Sequence, residues 1–525
     1  MSTNTAIEFL VWLLIAASII GTLAARLRIP YTVALVLGGL ALGSVSIHLP
    51  IAEMLVSHKP DWLTPGVTLV VFLPPLLFEG SLKINILHLR ENAVTILLLA
   101  TIGVLVAALV TGFAAHWILG LPILVALIFG AITAATDPIS VLSIFREMAV
   151  PQGLAITVEG ESLFNDGTAA VLYGIFVAGV ASGTLGIWSG VQDFVLQVLG
   201  GIALGGGLGY LLSKLTQRID DPQIEITLTT VLAYSSYLAG QSLRVSGVIA
   251  TVAAGITLGN MGTRVGMSAR TRIALWSFWE YASFVINSVV FLLIGLQVHV
   301  GSLLRQWRPT LLALATVTLG RVLSVYGLVP LGGVISQPIP LRWQHVLVAG
   351  GIRGALALAL ALSLPSGFPH RDEILTMTFG VVAVSIIVQG FSIRPLLRLL
   401  GISNVHEDAY ELARVKQIAM SSARSELDNL FHNNVISTPA YERLRQELDS
   451  RLEQAKAQVA ELYENDSSRI QPEMQFAKMK LIAAEKSSLE QAIHQGLISQ
   501  QRASELIEAA DQELDKLTSG EKGST

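Results

Sequence analysis

From residue 6 to residue 400 this chain consists almost wholly of apolar runs of roughly 20 residues, each long enough to cross a bilayer as an α-helix. Hydrophobic residues make up 52% of the chain and charged residues 14%, whereas a soluble globular chain carries about 25% charge. The fold class that follows is all-α, a polytopic membrane protein. Reading the runs between polar, Pro and Gly breaks predicts about 13 helices. They lie near 6–24, 30–46, 65–82, 92–115, 121–146, 152–181, 187–213, 223–241, 245–262, 270–298, 309–336, 342–364 and 373–400. The Ile7–Leu23 run lacks the Lys/Arg-rich start and cleavage pattern of a signal peptide, so it reads as a retained first helix. No cysteine is present, which excludes disulfides, thiolate metal sites and cysteine nucleophiles.

Charge sets the expected orientation. With the N-terminus outside, thirteen Lys and Arg of the loops and helix ends fall inside and five outside. An odd number of spans then places the C-terminal segment in the cytoplasm, beneath the cell (inner) membrane. Residues 1–400 hold 20 Lys and Arg against 17 Asp and Glu, while residues 401–525 hold 14 against 21. The chain is therefore expected to divide into a transmembrane domain, 1–402, and an acidic helical cytoplasmic domain, 403–525.

The fifth and twelfth runs are interrupted. One contains Thr133-Ala134-Ala135-Thr136-Asp137-Pro138, the other Gly350-Gly351-Ile352-Arg353-Gly354. Pro removes a backbone donor and breaks the helical ladder, and clustered Gly lets the chain unwind cheaply. The breaks lie seven segments apart, an odd offset, so the two helices run in opposite directions. A matched pair of broken helices in inverted halves points to a transporter's binding site. Where they cross, Asp137 can neutralise the positive helix ends and Arg353 the negative ones. Gly38-Gly39 and Gly205-Gly206-Gly207 read instead as close helix packing.

Carboxylates in the middle of membrane spans are costly and mark ion or proton pathways. Asp166 lies about 14 residues from the inner end of the sixth run, roughly 21 Å at 1.5 Å per residue, which is near the midplane. Ser162 and Asp166 share one helix face, and Glu161 and Asn165 the neighbouring one. Small hard cations want oxygen ligands, and Asp166, Asp137, Ser162 and Thr136 can supply them. A carboxylate that carries either a proton or a cation, but not both, is in itself an exchanger. Arg321 and Arg353 both fall within the spans and need partners there. Glu161 is the natural one, with Arg321 in the eleventh run the favoured arginine. Glu79, after Pro74-Pro75-Leu76-Leu77-Phe78, either relays a proton near the ion site or faces water at a helix end. Glu280 either lines a cation-attracting funnel or sits at the interface.

Four motifs carry a resemblance. Leu73–Glu79 (Leu-Pro-Pro-Leu-Leu-Phe-Glu), Thr136-Asp137-Pro138, the Glu-Gly-Glu-Ser-Leu-Phe-Asn-Asp-Gly stretch from Glu159 to Gly167, and Gly350–Gly354 lie in four separate helices. Together they resemble the monovalent cation:proton antiporters of the NhaP/NHE type over about residues 1–400. The resemblance implies a 13-helix inverted-repeat fold (NhaA/NHE-like), with core and dimerisation subdomains working as a homodimer by an elevator-like motion. It implies exchange of Na+, or K+ or Li+, for H+. It also implies that Asp166 carries the ion, supported by Asn165, Thr136, Asp137, Ser162 and Glu79, while Glu161 pairs with an arginine. Related electrogenic antiporters have a second Asp where this chain has Asn165, so electroneutral exchange of one proton for one cation is expected.

From about residue 404 the sequence becomes charged and helix-forming. Thr438-Pro439 reads as a helix start, Gly496 and Gly520 as helix stops. Ile436-Ser437 and Ile498-Ser499 each open similar Ala/Glu/Leu-rich helices, which hints at two helical hairpins. This domain is either regulatory or dimer-contacting, or a solubilising appendage. The expected partners are monovalent cations, protons, the lipid bilayer and a second copy of the chain. No cofactor and no nucleic acid are expected. The competing reading is a cation channel or uniporter using the same acids. An intramembrane aspartyl protease would need a Gly-x-Gly-Asp motif, which is absent.

Overall fold

Inside a hydrocarbon layer the backbone has no water to bond, so each apolar run must satisfy its own amides and carbonyls as a helix. In the computed structural model no strand occurs among the described residues. These run from 3 to 464, except 28, 45–64, 149, 184–185, 218, 220, 298–300, 302–306, 337, 366, 403–404 and 434, and include 474, 478, 481–482, 488–489 and 506. The chain divides into two compact units, Met1–Ser403 and Asn404–Thr525.

The first unit begins with α1 (Thr3–Leu27), α2 (Tyr31–Ser44) and α3 (Pro65–Lys83), the last keeping Pro74 and Pro75 within the helix. A short α4 (Ile86–Glu91) leads to α5 (Ala93–Leu119), which is π-helical over Leu99–Gly103. The fifth run is two half-helices, α6 (Ile123–Ala134) and α7 (Ile139–Glu147), followed by the unbroken α8 (Gln152–Ser182). Next come α9 (Ile187–Thr216), α10 (Pro222–Ser242) and α11 (Gly247–Thr257), which continues as a π-helical stretch, Leu258–Gly266. After α12 (Ala269–Gln297) and α13 (Trp307–Ile335), the twelfth run again splits, into α14 (Leu341–Ala349) and α15 (Ala355–Leu362). The unit closes with α16 (Arg371–Leu400). Eight described spans are individually long and apolar enough to cross a membrane.

Packing sorts these helices into two groups. Helices α5 to α8 and α13 to α16 contact chiefly one another, and so do α1 to α3 and α9 to α12. Small residues set the closest approaches, since helices in lipid associate by van der Waals contact rather than by water exclusion. Gly205 of α9 lies so near α11 that a Cβ there would sit 1.9 Å from the Ala250 carbonyl oxygen. The apolar outer faces of α1 and α9, including Ile19, Leu23, Leu196 and Leu199, stay exposed as a lipid-facing surface requires.

In the second unit α17 (Val405–His432) and α18 (Thr438–Glu464) form an antiparallel hairpin. Helix α18 starts at the predicted Thr438. Phe431 stacks on Tyr441 at 4.2 Å between centroids, the Tyr441 hydroxyl donates to Asp428 at 2.8 Å, and Arg424 pairs with Asp449 at 2.6 Å. The predicted second hairpin, with Gly496, Ile498-Ser499 and Gly520, lies outside the described residues.

Candidate ion site at the crossing of two broken helices

Helix α6 ends because its ladder runs out of donors. Thr133 turns its hydroxyl back to the Phe129 carbonyl at 2.8 Å, Ala135 is extended, and Pro138 offers no N–H. On the other strand of the crossing, Gly350–Gly354 separates α14 from α15, and Gly354 is extended with no Cβ to obstruct its neighbour. The two interruptions meet: the Asp137 amide donates to the Ile352 carbonyl at 2.6 Å.

Four half-helix ends now face one another, and side chains compensate them. The Asp137 carboxylate accepts from the Ile139 amide at 3.0 Å, at the N-terminus of α7. Its other side abuts Gly354, the N-cap of α15. Arg353, 2% exposed, donates through Nε to the Thr133 carbonyl at 2.9 Å, near the C-terminus of α6, and also to the Gly351 carbonyl. An anion at N-termini and a cation at C-termini is the favourable arrangement of helix dipoles. Arg353 is further fixed where its amide donates to the Ser385 hydroxyl at 3.2 Å.

Helix α8 crosses directly beside the interruption. Thr136 and Ser162 hydroxyls hydrogen-bond at 2.9 Å, and both residues line a cavity of about 330 Å³ together with Asp137 and Asp166. Asn165 behaves differently. It is fully buried, its amide nitrogen donates to Thr136 Oγ1 at 2.6 Å, and its oxygen accepts from the Thr136 amide at 3.4 Å. The structure therefore places Asn165 behind the cavity wall, where it holds Thr136 in position. Among the described residues Asp166 has no hydrogen-bond donor or cation at its carboxylate, although it lines the cavity.

Glu161 and Arg321 lie on the far side of α8, away from the cavity. The guanidinium grips the carboxylate with both nitrogens, one of them at 2.8 Å, and also donates to the Leu347 carbonyl at 2.8 Å. Both are buried, at 1% and 7% exposure. Between the two arginines that the sequence left open, the bidentate partner is Arg321.

Glu79 and Glu280 also reach the cavity lining, along with Lys83, Arg146 and Glu159. Glu79 pairs with Lys83 at 2.6 Å. Lys83 and Arg146 lie in the last turns of α3 and α7, while Glu159 lies in the N-terminal third of α8 and Glu280 in the N-terminal half of α12. Sequence reading passed over Glu159, although Glu159, Ser162 and Asp166 are i, i+3 and i+7 on one helix and so share a face. It also passed over Tyr31, Thr32 and Asn287, whose contribution to the wall depends on how α2 packs against α7 and α12 against α3 and α15. Thr32, for example, hydrogen-bonds to Ser140. Nothing local in the chain signals that contact.

Gly354 offers a direct check of the crossing. A Cβ there would lie 2.2 Å from both Cβ and Oδ2 of Asp137. Gly354→Ala is expected to displace that carboxylate and slow ion-coupled proton movement about tenfold or more, since misplacing a reacting group by an ångström costs about a hundredfold in other sites. Initial rates in vesicles with equal protein content measure it.

A helical membrane bundle with two crossed, charge-compensated half-helix pairs beside a carboxylate that lines a cavity defines an ion-coupled carrier. Residues 13–399 match the family of sodium/hydrogen exchangers, transmembrane region. The chain is 36% identical over 505 residues to the Na(+)/H(+) antiporter NhaG of Bacillus atrophaeus, covering 93% of each chain. It is 33% identical to the Na(+)/H(+) antiporter NhaS2 of Synechocystis sp., covering 98% of this chain and 94% of that one. Its fold is that of the sodium proton antiporter MjNhaP1 from Methanocaldococcus jannaschii, with a TM-score of 0.63 at 24% identity over 76% of this chain and all of that one. This chain belongs to the sodium/hydrogen exchanger family.

Proposed function

We propose that this chain exchanges Na+ for H+ across the cell membrane, one for one, with the two ions taking turns on Asp166. The observation that carries the reading is an Asp166 carboxylate without a protein partner, facing the cavity where the broken helices cross. A carboxylate held by an arginine would be neutralised permanently; one left open can accept either cargo. Asp137, Thr136 and Ser162 bring further oxygens to the same cavity, the hard donor type that Na+, K+ and Li+ prefer. Asp137 serves the helix ends at the same time. Asn165 fixes Thr136 and cannot titrate, so the exchange carries no net charge. Glu79 lies at the cavity's charged end, on the route between Asp166 and the cytoplasm. Glu161 and Arg321 hold α8 to α13, outside the ion path.

In this reading the N-terminus lies outside and the acidic helical domain inside, so the cavity faces the cytoplasm. The group α5–α8 and α13–α16 is the moving core, and α1–α3 with α9–α12 is the scaffold through which two copies dimerise. Proteoliposomes test the central claim. A Na+ gradient is expected to shift internal pH without sustained current and with no dependence on an imposed membrane potential. A current scaling with voltage and no coupled pH change would mark a channel and overturn the proposal.

A further inference from the structure

The cavity's charged end contains a cation of the protein's own. Lys83 closes α3, and its ammonium lies 2.6 Å from Glu79 Oε1, one helical turn earlier. Both side chains line the same cavity as Asp137 and Asp166. An i, i+4 Glu–Lys pair on a solvated helix face is worth little and needs no function. This one is placed differently: the Glu79 side chain is 17% exposed and the Lys83 side chain 29%. Glu159 stands within electrostatic reach of Glu79, Lys83 and Arg146, and Glu280 lines the same cavity. An ammonium is a monovalent cation, as the transported ion is. Tethered four residues from Glu79, it stays at high effective concentration beside that carboxylate.

We infer that Lys83 is a tethered competitor of the transported cation, occupying Glu79 until Na+ displaces it and thereby setting the affinity on the side the cavity faces. The inference rests on the exchange reading above and adds a specificity-determining residue to it. Lys83 touches no group at the helix crossing, so its removal leaves Asp137 and Asp166 as they are. The displaced ammonium has Glu159 nearby to receive it, so an incoming Na+ does not leave Lys83 without an anionic neighbour.

Initial exchange rates are measured against Na+ in proteoliposomes for the native chain, Lys83→Met, Lys83→Arg, Glu79→Gln and the double variant Glu79→Gln/Lys83→Met. The expected result is that Lys83→Met lowers the KM for Na+ about two- to fivefold, the range that a partly exposed ion pair commands, with the maximal rate within twofold. Lys83→Arg is expected to keep the native KM. In the Glu79→Gln background the Lys83→Met change should have no further effect on KM, because the contested carboxylate is gone. Calorimetric titration of Na+ into the purified variants reads the same order of affinities without turnover. An unchanged or higher KM in Lys83→Met overturns the inference, as does an equal gain in the Glu79→Gln background. Failure of the exchange reading itself is separate, since it appears as exchange that survives Asp166→Asn.

Discussion

Asp166→Asn is expected to abolish cation-driven proton movement in everted vesicles, a fall of about 10²–10⁴-fold, the contribution of a positioned proton-carrying side chain. The amide matches the carboxylate in size but neither titrates nor bears charge, so it can hold neither cargo. The variant should fold as well as the native chain, because Asp166 gives up no hydrogen bond or ion pair among the described residues. Melting temperature in detergent and expression level provide that control. A native rate of dye dequenching with any of Na+, K+ or Li+ would remove Asp166 from the centre of the mechanism.

Breaking the Glu161–Arg321 pair is expected to produce the opposite phenotype, with large loss of stability from residues that never meet the ion. Glu161→Gln or Arg321→Leu leaves one buried charge without its partner, at a cost of about 3–5 kcal/mol. Arg321→Leu also strips two donors from the Leu347 carbonyl. Because desolvating both charges is itself expensive, Glu161→Leu/Arg321→Leu should recover much of the loss. Thermal unfolding of the four chains in one detergent forms a double-mutant cycle. Additive losses, or single variants as stable as the native chain, would show that the pair does not hold α8 to α13.

How much of this was legible beforehand follows from the range of the forces involved. A lipid environment forces internal hydrogen bonding, so apolar run length alone located the helices α1 to α3 and α5 to α16. The two interruptions were legible for the same reason: Pro138 and the glycines of Gly350–Gly354 act on their own backbone, whatever surrounds them. Asp166 stood out because a carboxylate in mid-span is too costly to be incidental. Asn165 was harder. The resemblance implied that it supports Asp166, but the contact through which it acts, its pair of hydrogen bonds to Thr136, depends on how α8 crosses the interruption.

Composition and periodicity thus determined by themselves that the chain spans a membrane, where its helices break and which acids are paradoxical there. Those conclusions depend on each residue's own solvation and backbone freedom. The chain itself favoured Arg321 for Glu161 and set Asp137 and Arg353 against the helix ends. Only the tertiary structure decided that Arg321 takes that carboxylate with two nitrogens, that Arg353 reaches the Thr133 carbonyl of α6, and that Lys83 and Glu79 both line the ion cavity. Such assignments turn on distances of a few ångströms between elements up to 220 residues apart, and hydrogen bonds and ion pairs lose their strength over about that length.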